Sequence, residues 1–403
     1  MSLPDGAEPF VPPPYPYDRL GALVHVASDH AGGVVDLSVG TPCDPPPPEV
    51  VAALGQSGTE RGYPTSVGSP QLRTAAARWM RRRFGVAVPE AQVAACVGTK
   101  EFVASTAWFL RLRQPERDTV LGPAVAYPTY AMGARLAGCR FVAVAEGDDG
   151  LELDAVAEAD AARAVCLWVN SPANPSGRVS DLGHAAAWGR AHGVPVLSDE
   201  CYAEFTWDGP AASVIQHGLA GVVSVHSLSK RSNLAGVRVG VYAGDAEVVS
   251  YLAEIRKHAG LMVPGPVQAA AVVAFDDDAH VEAQRHRYRH RLGRLVAVLR
   301  AAGLDAAMPE GGFYLWVPVP DWAADEGAAS GRPGAWVLTE ALARAAGLLV
   351  SPGEFYGDSA VGFVRVAAVQ PDERIELVAQ RLESSAHPHL GRAASPRVRA
   401  AGR

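Results

Sequence analysis

One rhythm constrains the fold of this chain more than any other feature. From about Val93, short apolar runs alternate with alanine-rich helical stretches. Val93–Val97, Thr119–Leu121, Phe141–Ala145, Ala164–Val169, Pro195–Ser198, Val222–His226 and Val237–Tyr242 have strand length and composition. Lys100–Arg111 and Leu182–His192 read as helices between them. Strand followed by helix, repeated, predicts an α/β fold with a mainly parallel sheet. A long helical stretch follows from Val267 to Ala302, interrupted near Asp276. Gly303 to Ser384 then mixes strands and helices and predicts a smaller α+β unit. A chain of 403 residues suits two such units better than one core. The expected layout is a large domain over 48–285 and a small domain built from 1–47 and 286–385. The prolines from Pro9 to Pro16 predict an extended arm, and Pro45–Pro48 precede a helix from Glu49. The last stretch, 386–403, is expected to be a disordered basic tail: from His387 it holds four arginines and no acid.

Several function classes fall away on composition. A net charge of −7 argues against a general nucleic-acid binder. The basic run from Arg285 to Arg291 has helical spacing and is expected to be a solvated face. No apolar run approaches 18 residues, so no membrane span is expected. Met1 to Phe10 lacks the charged and apolar regions of a secretory signal. Cys43, Cys96, Cys139, Cys166 and Cys201 are scattered and form no CxxC pair. That predicts neither a disulfide framework nor a zinc site, and it suits a reducing cytoplasm. His184, His192 and His217 have no metal-ligand spacing, and no metal is expected.

The chemistry is expected where apolar strands end in polar groups, because open α/β sheets bind ligands beyond the carboxyl ends of their strands. One strand runs into Asn170-Ser171-Pro172-Ala173-Asn174-Pro175-Ser176-Gly177. Another runs into Ser198-Asp199-Glu200-Cys201-Tyr202, and a third into His226-Ser227-Leu228-Ser229-Lys230. A fourth loop, Gly98-Thr99-Lys100, opens a helix whose N-terminus is a ready anion site. A lysine amine forms Schiff bases with carbonyls. A buried aspartate stabilises a protonated ring nitrogen, and a protonated pyridine is an electron sink. A tyrosine and an asparagine can hold a phenolate oxygen; serines, an arginine and a helix N-terminus can hold a phosphate. Together these are the attachment points of pyridoxal 5′-phosphate (PLP).

The motifs resemble those of the fold-type I, class I and II aminotransferases over nearly the whole chain. Ser227-x-Ser229-Lys230 followed by Gly236-Val237-Arg238-Val239-Gly240 is similar to that family's cofactor-attachment motif. The resemblance implies an aspartate aminotransferase-like fold and PLP as cofactor. It makes Lys230 the Schiff-base residue and proton shuttle, and Ser227, Ser229 and Arg238 phosphate contacts beside Gly98, Thr99 and Lys100. Asp199 resembles the partner of the pyridine nitrogen. Tyr202 and Asn174 resemble the groups at the phenolate oxygen, and Tyr127 the aromatic on the ring. Val35 to Pro42 resembles the segment whose glycine, Gly40, meets the substrate carboxylate. Arg365 in Phe363-Val364-Arg365-Val366 resembles the α-carboxylate fork, a task a guanidinium suits better than an ammonium. Gly311 to Trp316 and Ser351 to Gly357 match the small domain. Tyr63 resembles the tyrosine that reaches the neighbouring subunit's phosphate, which implies a homodimer with shared sites.

Val-Gly-Thr-Lys-Glu together with Pro-Ala-Val-Ala-Tyr-Pro-Thr-Tyr is most similar to the actinobacterial N-succinyldiaminopimelate aminotransferases. That implies a polyanionic amino acid as substrate and glutamate with 2-oxoglutarate as the amino couple, in lysine biosynthesis. Lys100 and Arg19 are the candidates for its distal carboxylates, although Lys100 at a helix start also reads as a surface lysine. A PLP carbon–sulfur lyase, an aminotransferase of a secondary pathway and a non-catalytic sensor on the same fold stay open at this point.

Overall fold

The seven apolar runs pair into one sheet. The computed structural model describes residues 10–147 and 150–390. The strands are β1 (Val93–Cys96), β2 (Thr119–Pro123), β3 (Arg140–Val144), β4 (Ala164–Asn170), β5 (Val196–Asp199), β6 (Val222–Ser227) and β7 (Gly240–Gly244). Their order across the sheet is β1-β7-β6-β5-β4-β2-β3. Neighbours run parallel except at β7, which lies antiparallel between β1 and β6. β4, β5 and β6 are buried along their whole length. A strand covered on both faces has no need to alternate, which is why these segments read as continuous apolar runs. Apolar clusters fill both faces, one around Trp79 and Phe275, the other around Phe102, Trp168 and Tyr242.

The helices obey local signals. Among them are α1 (Thr99–Arg113), α2 (Leu182–His192), α3 (Gly265–Asp276) and α4 (Ala279–Ala301). Asp181 caps α2 by accepting from the N–H groups of Gly183 and His184 at 2.8 and 3.0 Å. Gly193 ends it in the left-handed conformation. The expected break near Asp276 separates α3 from α4, and the Asp277 carboxylate accepts from the Ala279 N–H at 2.8 Å.

A second, antiparallel sheet holds β8 (Tyr314–Pro318), β9 (Ser351–Pro352) and β10 (Phe363–Ala367), in the order β8-β10-β9. Val35–Asp36 pairs in parallel with Leu348–Leu349, which ties the N-terminal segment to this smaller unit. Its core includes Leu292, Leu295 and Leu299 of α4.

Three expectations need revision. The strand expected over Val237–Tyr242 starts only at Gly240. Ala235–Val237 is a 3₁₀ turn and Arg238 takes φ 61°, a reversal that the apolar pattern does not record. The basic run is not wholly a solvated face: Tyr288 and Arg291 are buried. Arg291 grips Asp44 at 2.6 Å and Asp372 at 2.7 Å. Of the stretch expected as a disordered tail, 391–403 lies outside the described residues. His387–Leu390 is placed, with Leu390 fully buried and His389 stacked on Trp322 at 5.0 Å.

Candidate active site

The carboxyl ends of three neighbouring strands meet at one point. Asn170, the last residue of β4, pairs in register with Asp199, the last residue of β5, and Asp199 pairs with Val225 of β6. Beyond them lies a cavity of about 380 Å³. Gly40, Thr99, Lys100, Tyr127, Asn174, Asp199, Tyr202, Ser227, Ser229, Lys230, Arg238 and Arg365 all line it. Gly98 sits directly behind, against the Arg238 guanidinium. Tyr63 is elsewhere: it is 99% exposed and takes no part in this cavity. Arg19 is also elsewhere, bound to Glu354 at 2.7 Å.

Lys230 is placed by a turn. The Ser227 hydroxyl accepts from the Ser229 N–H at 3.1 Å and starts the four-residue helix Leu228–Arg231. The Lys230 ammonium donates to the Gly40 carbonyl. Burial lowers the Lys230 pKa to about 8, and the nearby cations Arg365 and Arg238 push the same way. An amine so shifted is a nucleophile near neutral pH.

Asp199 lies at the floor. Its Oδ2 accepts from the Tyr130 hydroxyl at 2.9 Å and its Oδ1 from the Cys201 N–H at 3.2 Å. Burial raises its pKa above the usual carboxylate range. Such a carboxylate fits a cationic ligand atom, which would restore its charge.

Two guanidinium groups mark anion positions. Arg238 spends one bond on the Ala235 carbonyl at 2.7 Å and pairs with no carboxylate among the described residues. It faces the N-terminus of α1, where Gly98 takes φ 76° and any Cβ would run into the guanidinium. An arginine, a helix N-terminus and the Ser227 and Ser229 loop form a cradle for a phosphate. Arg365 is 1% exposed and pairs with no carboxylate among the described residues either. Its Nη1 donates to Asn174 Oδ1 at 2.7 Å, and its Nη2 to the Ser38 carbonyl at 2.5 Å and the Tyr17 hydroxyl at 3.2 Å. Its Nε is buried without a partner. By contrast, buried Arg231 and Arg256 are matched by Glu204 and Glu101. A buried guanidinium left without an acid points to an acidic ligand.

An amine, a floor carboxylate, a phosphate cradle and a carboxylate site in one cavity fit PLP and an amino acid. The comparison with known proteins agrees. Residues 32–382 match the family model of aminotransferase class I and II. The chain belongs to that family. This aminotransferase is a PLP-dependent transaminase with the aspartate aminotransferase-like fold. It is 41% identical to a 4-dedimethylamino-4-oxo-anhydrotetracycline transaminase of Streptomyces rimosus, covering 92% of this chain and 99% of the relative. It is 31% identical to an LL-diaminopimelate aminotransferase of Dehalococcoides mccartyi, covering 90% and 94%. A solved structure of a probable N-succinyldiaminopimelate aminotransferase from Thermus thermophilus superposes with TM-score 0.79 at 29% identity, covering 91% and 98%. Among the described residues no helix is long and apolar enough to cross a membrane.

Sequence reasoning gave no role to several residues in or behind the lining. Asn170 holds the floor together: its Nδ2 donates to the Asp199 carbonyl at 2.8 Å and its Oδ1 accepts from the Asn174 N–H at 2.7 Å. Its signal was available, since it ends a strand as Asp199 does. Tyr130, one helical turn from Tyr127, carried no such mark. Tyr15 and Tyr17 come from the arm, whose path local pattern does not give.

Proposed function

We propose that this aminotransferase moves the amino group of a polyanionic amino acid, N-succinyl-LL-diaminopimelate, to and from the glutamate/2-oxoglutarate couple, in lysine biosynthesis. The supporting observation is that two cations besides the phosphate-side Arg238, buried Arg365 and exposed Lys100, line the cavity without a carboxylate partner among the described residues. Arg365 waits for the α-carboxylate. Lys100 is exposed on the cavity lining and, among the described residues, is held by Tyr15, through the hydroxyl at 3.3 Å and the ring at 4.6 Å.

The roles follow from position. PLP, when bound, supplies a carbonyl for the substrate amine and a ring that accepts electrons. Lys230, Asp199 and Tyr202 are the catalytic group. Lys230 Nζ would take the proton from the substrate Cα and would carry it across the amine nitrogen to the cofactor-side carbon, a task for a single flexible amine with a lowered pKa. Asp199 keeps the ring nitrogen protonated, and Tyr130 and the Cys201 N–H hold that carboxylate still. Tyr202 and Asn174 serve the phenolate oxygen and Tyr127 the ring face. Gly98, Thr99, Ser227, Ser229 and Arg238 serve the phosphate, with Lys100 beside them at the start of the helix. Gly40, Asn174 and Arg365 receive the α-carboxylate. Tyr63 completes the partner's site in a cytoplasmic homodimer, which fits its full exposure here.

A second reading has its own support. The 41% identity to a transaminase named for a tetracycline intermediate exceeds the 31% to the diaminopimelate enzyme, which favours a tailoring enzyme of a secondary pathway. Measuring kcat/KM for N-succinyl-LL-diaminopimelate, glutamate, aspartate and a polycyclic ketone acceptor with glutamate as donor separates the two. The first reading expects the succinylated diamino acid to lead by at least tenfold. A lead by the ketone would overturn it.

A further inference from the structure

Tyr314, from the N-terminal end of β8, touches three parts of the site at once. Its hydroxyl lies 2.8 Å from the Tyr202 hydroxyl. Its ring face carries the Arg365 guanidinium at 4.1 Å. Its hydroxyl end fills the place where a side chain at Gly40 would stand, so that glycine permits the approach. The residue is 2% exposed, and no other hydroxyl lies within hydrogen-bond distance of Tyr202 among the described residues.

We propose that Tyr314 is a positioning residue that acts through both halves of the site: its hydroxyl donates to Tyr202 and so turns the Tyr202 O–H into the cavity, while its ring holds Arg365 flat for a carboxylate. The inference rests on the roles given above to Tyr202 and Arg365. A hydroxyl pair has two arrangements, and the surroundings select between them. Arg365 lies against Tyr314, and a neighbouring cation makes a phenol the better donor. Burial raises both hydroxyl pKa values, and the Arg365 charge works against that rise at Tyr314. With Tyr314 as donor, Tyr202 keeps its proton for an acceptor in the cavity. A hydroxyl that itself accepts a hydrogen bond is a stronger donor.

The consequence is measurable on the bound cofactor without turnover. A donor to the cofactor's phenolate oxygen favours the form in which that oxygen keeps its full charge. Weakening the donor therefore raises the pH midpoint of the visible absorption band. Tyr314→Phe keeps the ring and its volume, and is expected to move the midpoint up by roughly half a pH unit. In a Tyr202→Phe background the same change should add nothing, because its path is gone. Tyr314→Leu, which removes the ring face, should also raise KM for glutamate by roughly 3- to 30-fold. Tyr314→Phe should leave that KM within twofold. No shift, a downward shift, or an equal shift with and without Tyr202 would overturn the hydroxyl half. An unchanged KM in Tyr314→Leu would overturn the ring half. A wild-type protein that shows no visible band with added PLP would instead remove the underlying reading of the site. Matching far-ultraviolet circular dichroism across the variants keeps misfolding apart from these outcomes.

Discussion

Arg365→Lys tests the carboxylate site most sharply, because it keeps the charge and removes the geometry. A guanidinium has five N–H donors. The protein takes three of them, through Asn174 Oδ1, the Ser38 carbonyl and the Tyr17 hydroxyl. Two remain, one of them on the buried and unpartnered Nε. An ammonium has three donors, which the same three protein acceptors would use up. The substrate carboxylate would then lose at least one charge-assisted hydrogen bond, about 1.5–3 kcal/mol. That corresponds to a fall in kcat/KM of roughly 10- to 150-fold. The assay is the amine half-reaction followed by absorbance, run with glutamate and with an amine that lacks the α-carboxylate. The loss should appear with glutamate and be absent, within about threefold, with the decarboxylated amine. Equal losses for both, or none for glutamate, would refute the assignment. A thermal midpoint within a few degrees of wild type would show that the variant is folded.

Other expectations follow from single contacts. Burial holds the Lys230 pKa near 8 against an ordinary 10.5, so the unfolded chain binds more protons than the folded one between those values. The cofactor-free protein should therefore gain stability from this residue as pH rises from about 8 to 10.5. Denaturation of Lys230→Met should lack that increment, and an identical pH profile for both proteins would count against the burial. Lys230→Ala should abolish transamination; wild-type turnover would sink its role. Arg291→Met leaves Asp44, with its side chain 12% exposed, without its cation. A stability loss of about 3–5 kcal/mol is expected by chemical denaturation, and a loss under 1 kcal/mol would show the pair to be ornamental. If Tyr63 serves a neighbouring site, sedimentation should give a species of twice 42.2 kDa, and dilution to monomer should weaken PLP binding. A monomer with undiminished affinity would refute the shared site.

Much of the fold was legible because burial writes itself into sequence. β4, β5 and β6 are covered on both faces, and each stood out as an apolar run. Their polar last residues, Asn170, Asp199 and Ser227, could be placed at one sheet edge for that reason alone. Helix Leu182–His192 was bounded by an aspartate cap and a glycine stop, both local signals. What stayed hidden depends on partners distant in sequence. The salt bridges that bury Arg291 join it to Asp44 and Asp372, and nothing near position 291 announces either. The reversal at Arg238 is a backbone property, invisible in a string of Gly-Val-Arg-Val-Gly. Tyr15 and Tyr17 line the cavity only because the arm folds back over it, which no periodicity encodes. The apolar anchor at Leu390 is a single residue inside a basic stretch, too small a signal to set against the composition around it.

The most direct test of the site and its substrate is an absorption spectrum of the PLP-loaded protein before and after each candidate donor. N-succinyl-LL-diaminopimelate should remove the visible band, and 2-oxoglutarate should bring it back, since the amino group then returns to the acceptor. Glutamate should act in the same way. A band that responds to glutamate and ignores the succinylated diamino acid would contradict the proposed substrate. A band that responds to neither would contradict the carboxylate site built on Arg365.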